Sequence, residues 1–320
     1  MRSEFLSTEL NSNVIIDSHT HNGSDLSNIV KFRYPSSQSI IDLTNKTKLS
    51  GVDYVVTFPC PSDLFWFEPA TFHQRNKLVV QSSPIEPFPH FISNETMFRE
   101  IANFGQGRAL PFANFIPSFE DTRQIEYLET KIKEDSLFGL KFHPLASQTS
   151  MALLKDSPII DFAQRHDLPI LIHTGPDKYS NPLQLLELSR SYPNVRFCAA
   201  HVGQFQKNFI EPLVNEKPRN LFIDTSPLIS LCFANRENIS PNIYDLPFSD
   251  PQKTLHSLYS KIPDNILWGT DEPWTTITND KTGGVYCRVT YSDEVNLLKT
   301  LPTEAVQKIA NKNTLRFLGQ

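Results

Sequence analysis

Glycine is scarce in this sequence: the 320 residues include only 11 glycines, against 24 prolines and 23 phenylalanines. Proline restricts the backbone and phenylalanine is apolar, so we expect stiff, apolar-lined loops rather than flexible linkers. The chain also has no internal repeat and no low-complexity tract, which excludes a repeat architecture.

Cysteine is sparse as well. The four cysteines are Cys60, Cys198, Cys232 and Cys287, and no two form a Cys-x-x-Cys pair. We read them as reduced thiols in a cytosolic protein. Residues 1–5 are polar rather than a basic-then-apolar leader, and no apolar run approaches the roughly 20 residues that span a bilayer. We therefore expect a soluble, cytoplasmic protein.

Neither sign of charge is in large excess. The chain has 30 basic and 35 acidic residues, a net charge of -5, and nothing in this balance indicates a nucleic-acid surface. A hydrophobic fraction of 39% is enough for one large core. We expect a single domain over residues 1–320 that binds a small-molecule substrate, with no nucleic-acid or membrane partner. A homo-oligomer remains open.

Apolar segments of strand character alternate with helical segments along the chain. The predicted strands are 14–21, 52–58, 109–115, 137–143, 169–173, 195–201, 220–225 and 265–271. The predicted helices are 36–50, 94–105, 119–135, 157–166, 181–192, 209–215 and 250–261, and a last helical region covers 293–318. This alternation indicates parallel strands buried on both faces. Eight such units predict an α/β fold, a closed (β/α)₈ TIM barrel with long βα loops. A doubly wound open sheet is the alternative, but no Gly-x-Gly-x-x-Gly follows any strand.

The stretch 59–93 is too long for an ordinary connection. It holds several prolines and aromatic residues, among them Phe65, Trp66 and Phe67. We leave open whether it is a lid or a structural insertion that packs on the barrel rim.

Polar residues with metal or proton-transfer chemistry stand at the carboxyl ends of five predicted strands. They are His19 and His21 on strand one, Lys141 and His143 on strand four, His173 on five, His201 on six and Asp271 on eight. One histidine after an apolar strand is more often a satisfied core residue, but in a barrel these ends meet at one mouth. His19 and His21 share a face, roughly 7 Å apart, which suits two imidazoles on one metal ion.

Several short motifs carry a resemblance to a known family. They are Asp17-Ser18-His19-Thr20-His21, Gly139-Leu140-Lys141-Phe142-His143-Pro144, Leu171-Ile172-His173-Thr174-Gly175, Ala200-His201-Val202-Gly203, Gly269-Thr270-Asp271-Glu272-Pro273 and the C-terminal segment 309–318. Each motif is weak alone, but the ordered set resembles the amidohydrolase superfamily. The most similar branch is the amidohydrolase-related group, which includes aminocarboxymuconate-semialdehyde decarboxylase and related lactone and amide hydrolases.

The resemblance implies that His19, His21, His173 and Asp271 bind one divalent ion and that His201 is the general acid/base. Three imidazoles and a carboxylate suit zinc and leave a further position for water. The ion would lower the pKa of that water toward about 7, and Asp271 could accept its proton. His201, with a reference pKa of about 6.5, could donate a proton to a leaving group.

Lys141 leaves the number of metal ions open. In two-metal members of the superfamily a strand-four lysine is carbamylated and bridges the ions, and His173 and His201 then serve the second metal. Lys141 and His143 share a face, so both could reach the mouth to bind substrate or a second metal. We favour one metal. Deoxyribonuclease-type members would place a glutamate on strand four, and none is there.

Three functions remain to be weighed. The first is metal-dependent hydrolysis of a small organic substrate. Aromatic residues of the loops favour an aromatic or cyclic substrate, unless they only pack the barrel rim: Trp66, Phe67, Phe233, Tyr244 and Trp274. The second is non-oxidative decarboxylation of an unsaturated or aromatic acid, for which Arg33, Lys178 or Arg288 could supply a cation. The third, a barrel without catalysis, is disfavoured because every expected ligand position is filled.

The ligand set predicts metal content. The purified protein should carry about one divalent ion per chain, and His19→Ala or His21→Ala should abolish it, because each removes one imidazole from the site. Elemental analysis measures this directly. An active enzyme without metal would contradict the prediction. Two ions per chain with extra density on the Lys141 amine would instead support the bridged two-metal arrangement.

Overall fold

Eight parallel strands surround the centre of the molecule. The computed structural model describes residues 1–8, 13–25, 28–29, 37–61, 87–117, 122–237, 240–278 and 285–320. Its strands are β1 Ile16–Ser24, β2 Ser37–Gln38, β3 Tyr54–Pro59, β4 Ala109–Asn114, β5 Gly139–Phe142, β6 Ile170–Ile172, β7 Phe197–Ala199, β8 Leu221–Asp224, β9 Ile266–Leu267, β10 Ile277–Thr278 and β11 Val285–Cys287. In the main sheet the order is β2-β1-β3-β4-β5-β6-β7-β8-β9, with only β2 antiparallel, and β10 and β11 form a separate hairpin.

Helices lie between successive strands. They are α1 Arg2–Ser7, α2 Ile40–Ser50, α3 Phe91–Phe104, α4 Arg123–Lys133, α5 Pro144–Ser147, α6 Pro158–Arg165, α7 Pro182–Ser191, α8 Lys207–Glu216, α9 Leu228–Asn235, α10 Pro251–Lys261, α11 Tyr291–Leu298, α12 Thr303–Gln307 and α13 Asn313–Leu318. Many begin at a recognisable cap: Asn181 before α7 and Asp250 before α10 each accept a hydrogen bond from the first turn, and proline follows.

Backbone hydrogen bonds between the first and the last strand close the barrel. The Ser18 N–H donates to the Trp268 carbonyl at 3.0 Å, the Asp271 N–H to the His19 carbonyl at 2.8 Å, and the His21 N–H to the Glu272 carbonyl at 2.7 Å. We call this ladder the seam. A Cβ atom at Gly269 would lie 2.8 Å from the His19 Cβ, so glycine there permits the approach of the two strands.

The core has two layers. Inside the barrel, side chains of alternating strand positions pack together, including Phe58, Phe112 and Phe222. A larger apolar layer lies between the strands and the helices. At the amino-terminal end of the barrel, Phe5 of α1 packs edge-on against Tyr54 and Phe138. The carboxyl ends of the strands are left for polar groups, as in other barrels of this kind.

The predicted fold is confirmed: each of the eight predicted barrel strands has a counterpart. The predicted helical region 293–318 is interrupted: α11 ends at Leu298 and α12 begins after Pro302, because proline cannot continue a helix. Sequence analysis also missed α1, α9 and the β10–β11 hairpin. Most of the proposed lid, residues 62–86, lies outside the described residues, so its role stays a prediction. No helix of the described part combines the length and apolar character needed to cross a membrane.

A buried carboxyl group in α11 predicts a pH-dependent stability. Glu294 is 1% exposed, and its Oε1 accepts the Ile229 N–H at 2.9 Å. Burial raises its pKa to about 8, with the Asp17 and Asp293 charges adding to the effect. Because the pKa of the folded state is raised, stability is fully present below the unfolded pKa and falls as the pH rises toward 8. Glu294→Gln keeps the hydrogen-bond acceptor and removes this loss.

Urea denaturation should therefore show a stabilising effect of Glu294→Gln that grows between pH 5 and 8 and then levels off. Glu304→Gln, at an exposed position of α12, removes the same formal charge and is the matched control. An equal shift of the two unfolding midpoints at pH 8 would show that net charge, and not burial of Glu294, is responsible.

Candidate metal centre and active site

All seven predicted site residues meet at the carboxyl end of the barrel. Contacts connect them in one cluster: His21 to Asp271, Asp271 to His19, His19 to Lys141 and to His201, His201 to His173, and His173 to His143. No single segment brings them together, because they come from β1, β5 and the residues after β5, β6, β7 and β9. The convergence of parallel strand ends is therefore what assembles the site.

Two imidazoles converge on one carboxylate oxygen. The Nε2 atoms of His19 and His21 each lie 3.1 Å from Asp271 Oδ1. The ligand atoms of His19, Asp271 and His201 also lie within 4.8 Å of one another. Burial opposes ionisation of Asp271, but the neighbouring His19 and His201 and its hydrogen bonds keep its pKa well below the usual value. The carboxylate is therefore held ionised among nitrogen donors.

These residues fit a divalent metal ion. Metal–nitrogen and metal–oxygen bonds of about 2.1 Å in tetrahedral geometry separate ligand atoms by about 3.4 Å, close to the 3.1 Å between Asp271 Oδ1 and the Nε2 atoms of His19 and His21. The ring of His19 is 0% exposed and its Nδ1 contacts the carboxylate of Asp224, so Nε2, which faces Asp271, is the nitrogen that can bind an ion. Burial lowers the pKa of His21 to about 4, so that its ring is neutral and can act as a ligand.

The carboxylate behind His19 is Asp224, which sequence analysis did not single out. Asp224 Oδ2 lies 2.8 Å from His19 Nδ1, and Asp224 Oδ1 accepts the backbone N–H of His201 at 3.0 Å. Burial opposes its ionisation, but the charge and hydrogen bond of His19 lower its pKa to about 2. A signal was available: Asp224 ends the apolar strand Leu221-Phe222-Ile223, just as Asp271 follows strand eight.

His201 is fixed on both sides. Its Nδ1 lies 2.6 Å from the Ser226 carbonyl, to which it must donate, and its Nε2 lies 3.0 Å from His173 Nδ1. With Nδ1 carrying the hydrogen, a neutral His201 has its lone pair on Nε2, which faces His173 Nδ1 at the wall of the cavity. Burial lowers the pKa of His201. The geometry therefore allows this nitrogen either to bind an ion or to accept a proton.

His173 and His143 lie together beside His201. Their rings stack at 4.0 Å with an interplanar angle of 13°, and His143 Nδ1 accepts the Ala146 N–H at 3.2 Å. Burial holds the pKa of both imidazoles well below the usual value. His173 is thus within reach of the cluster, but its hydrogen bond goes to His201 rather than to Asp271. Its assignment as a metal ligand stays a prediction.

Lys141 lies beneath the metal-binding group of residues. Its Nζ is 3.5 Å from His19 Nε2 and 4.3 Å from the centre of the Phe58 ring. Among the described residues, no carboxylate lies within ion-pair distance of this amine. Burial lowers its pKa to about 8, against the opposing charges of Asp224 and Asp271. The amine is therefore placed to serve either of the two roles left open by the sequence.

A cavity of about 350 Å³ opens above the cluster. Its described lining is His21, Asp25, Asn28, Pro61, His143, His173, His201, Asp271 and Trp274. Trp274 presents its ring edge-on to His21 at 6.2 Å. Of the other aromatic residues predicted to line a ligand site, Tyr244 lies in a separate cavity, Phe233 packs against Arg236, and Trp66 and Phe67 are outside the described residues.

The cations proposed for a carboxylate substrate are not in this lining. Arg288 lines a different cavity beside α2 and α11, and Lys178 lies over the Tyr179 ring. Arg33 lies outside the described residues. Within the described part of the cavity wall there is neither lysine nor arginine.

Comparison with solved structures supports the barrel. A 5-carboxyvanillate decarboxylase from Sphingomonas paucimobilis matches with a TM-score of 0.57 and 13% identity, covering 95% of this chain and 98% of that one. A candidate 2-pyrone-4,6-dicarboxylic acid hydrolase from Pseudomonas putida matches with a TM-score of 0.61 and 14% identity, covering 97% and 98%. A 5-carboxyvanillate decarboxylase from Novosphingobium aromaticivorans, complexed with manganese and 4-hydroxy-3-methoxy-5-nitrobenzoic acid, matches with a TM-score of 0.60 and 11% identity, covering 96% of each chain. At these identities the likeness concerns the fold.

The family itself is established by sequence. A search of curated proteins gave no match. The family model described as Amidohydrolase matches residues 67–320, which include β4 to β9 and the site residues after β1. His19 and His21 lie before the matched segment, so their part in the site depends on the motif and on the geometry above. Because the match takes in most of the chain, this protein belongs to the amidohydrolase family.

Proposed function

We propose that this enzyme is a metal-dependent hydrolase that attacks a small organic substrate with a metal-activated water. The observation that carries the proposal is the convergence of His19 Nε2 and His21 Nε2 on Asp271 Oδ1 at the floor of the cavity. A divalent ion held there would polarise the substrate and lower the pKa of a water toward about 7. Amidohydrolases use such an ion, and buried donors of this kind favour it.

The chain's own residues divide the proton transfers between them. Asp271 keeps one carboxylate oxygen on the two imidazoles, and the other can orient a water and accept its proton. His201 is anchored through Nδ1 on the Ser226 carbonyl, so its Nε2 is the atom that can accept or return a proton to the leaving group. Trp274 and the stacked pair His143–His173 form walls of the cavity, where they can orient a substrate beside the two histidines and Asp271.

We propose a single ion, with zinc as the preferred metal because imidazole and carboxylate ligands suit it. The ligands are His19, His21, His173 and Asp271. A second ion is the alternative, since the Lys141 amine lies 3.5 Å from His19 Nε2 and could bridge two ions if carbamylated. The manganese in one structural neighbour is a property of that protein and leaves the identity of this metal to be measured.

Decarboxylation is the second candidate function. Two of the structural neighbours are named as decarboxylases of an aromatic acid, and a decarboxylase could use the same ion. A departing carboxylate needs nearby cations, however, and the described cavity wall has neither lysine nor arginine but does include Asp25. This composition favours hydrolysis of a neutral substrate, aromatic or cyclic in line with the Trp274 wall.

We also propose the cellular compartment and the binding partners of the enzyme. The four cysteines, all in the described part of the chain, form no disulfide, and three of them are buried, which agrees with a cytoplasmic protein. We propose a small molecule as its ligand, no nucleic-acid or membrane partner, and one catalytic domain over residues 1–320. Self-association is left to a measurement of mass in solution.

Hydrolysis can be tested by isotope transfer. With lactone, ester and amide substrates in ¹⁸O-labelled water, the acid product should carry the label. Decarboxylation of an aromatic acid would instead release carbon dioxide and leave an aromatic product that has gained a proton but no labelled oxygen. Asp271→Asn should abolish most of this turnover, because it removes the negative charge and the basic oxygen shared by His19 and His21.

Glu272→Gln is the matched control. The Glu272 side chain turns away from the mouth to pair with Lys46 of α2 and contact Thr275, as strand alternation predicts. It should retain most activity at saturating metal. If Glu272→Gln were inactive and Asp271→Asn active, the assignment of the catalytic carboxylate would be wrong. If carbon dioxide release were the sole reaction, the enzyme would be a decarboxylase and not a hydrolase.

A pair of histidine variants separates proton transfer from metal binding. His201→Asn should keep the metal and lose turnover by about 10²–10⁴-fold, the usual contribution of general acid–base catalysis. His173→Asn should weaken metal binding itself. Metal content and turnover are measured on the same preparations. If both variants lose the metal equally, His201 is a ligand and the division of roles proposed here fails.

A further inference from the structure

Asp224 contacts two parts of the site at once. It ends β8, is fully buried, and has a different set of partners on each carboxylate oxygen. Oδ2 faces the His19 ring at 2.8 Å, with the Cys198 thiol at 3.8 Å. Oδ1 accepts the N–H of His201 at 3.0 Å and both the N–H and the hydroxyl of Ser226, at 3.1 Å and 2.6 Å.

The contact with Oδ2 determines which nitrogen of His19 carries the hydrogen. An ionised carboxylate only accepts, and Asp224 Oδ2 lies closer to Nδ1, at 2.8 Å, than Asp271 Oδ1 lies to Nε2, at 3.1 Å, so a neutral His19 donates from Nδ1. Nε2 then presents its lone pair to the point where His21 and Asp271 converge. The opposite tautomer would direct an N–H toward that point, and an imidazole in that state cannot bind an ion through Nε2.

The contacts with Oδ1 hold the backbone that carries His201. His201 begins a run of five residues with positive φ, from 62° at His201 to 54° at Phe205. Left-handed backbone is unfavourable for residues other than glycine, and more so for the β-branched Val202. A Cβ atom at Gly203 would lie 2.4 Å from the Phe209 ring, so the turn is also packed closely. The His201 N–H at the start of the turn has Asp224 as its acceptor.

We propose that Asp224 is a positioning residue: one oxygen holds His19 in the tautomer that faces Asp271, and the other holds the backbone of His201. The proposal rests on the proposed function in taking His19 as a metal ligand and His201 as the acid/base group. The tautomer itself is a property of the metal-free protein, so it can be tested separately.

Asp224→Asn gives a sharp test because the orientation of the new amide is determined. Two backbone N–H groups, from His201 and Ser226, point at the Oδ1 position, so the amide oxygen must face them. The amide NH₂ then faces His19 Nδ1, which must become the acceptor. The hydrogen of His19 moves to Nε2, while the size of the side chain and the backbone contacts are retained.

Asp17→Asn is the matched control. Asp17 is also fully buried and adjacent to His19, but it accepts the backbone N–H of His19 at 3.0 Å and the N–H and hydroxyl of Thr270, at 3.1 Å and 2.7 Å. It therefore supports the chain and does not touch the ring. A general loss of packing near His19 would affect both variants, whereas control of the tautomer would affect Asp224→Asn alone.

The readouts are ¹⁵N spectra of the histidine rings in metal-free protein at alkaline pH, zinc titration by calorimetry, and the melting temperature. The His19 signals are assigned by their loss in His19→Ala. We expect hydrogen on Nδ1 in the wild type and in Asp17→Asn, hydrogen on Nε2 in Asp224→Asn, and about 10–100-fold weaker zinc binding in the latter. An unchanged His19 tautomer in Asp224→Asn, or the same change in both variants, would overturn the proposal.

The experiment distinguishes a variant that does not fold from a failure of the proposed metal-dependent function. If Asp224→Asn does not fold, Asp224→Glu replaces it: the longer carboxylate keeps the acceptor, so His19 should keep the hydrogen on Nδ1, and a hydrogen on Nε2 in this variant would overturn the proposal. If the tautomer changes as expected but even the wild type binds no divalent ion, the positioning role stands and the metal-dependent function fails.

Discussion

The seam between β1 and the last strand is the constraint on which the site depends. Its three hydrogen bonds, from Ser18, His21 and Asp271, run through the same residues that supply the proposed ligands. Closing the barrel and bringing Asp271 against His19 and His21 are therefore one structural event. A shift of one residue along this ladder would turn Asp271 toward the helices and Glu272 toward the mouth. Gly269 is part of the same constraint, because a side chain there would force the strands apart at His19.

Burial makes this assembly costly, and the arrangement of partners offsets much of the cost. Asp271 and Asp224 are ionised because imidazoles and hydrogen-bond donors surround them, which lowers the pKa of each despite burial. Asp17, which supports the seam, has mainly burial acting on it, and its pKa is raised to about 7. Asp271 and Asp224, which contact histidine rings, therefore differ in pKa from Asp17, which contacts backbone N–H groups. At neutral pH the former are fully ionised, whereas Asp17 is ionised only in part.

The sequence predicted the barrel and the seven polar residues because both follow from local pattern. Apolar strands alternate with helices, and each functional residue comes directly after a strand, so parallel strand ends must bring them together. What it could not predict depends on neighbours that are distant in sequence. The motif Ala200-His201-Val202-Gly203 does not predict that residues 201–205 are left-handed, because only Gly203 favours that conformation. Asp224 had the same strand-end signal as Asp271, but its role depends on facing the back of His19 rather than the cavity.

The left-handed turn at 201–205 is the clearest departure from local preference. Each residue other than glycine in this conformation costs about 1–2 kcal/mol, so a chain free to choose would not adopt it. Two hydrogen bonds hold the first residue of the turn, one through its backbone and one through its ring: the His201 N–H donates to Asp224 and the His201 ring donates to the Ser226 carbonyl. Ser226 follows β8 by two residues, so both anchors come from the neighbouring strand. The contacts that offset this strain therefore also orient the His201 ring. A right-handed turn would be free of the strain but would point His201 Nε2 in a different direction.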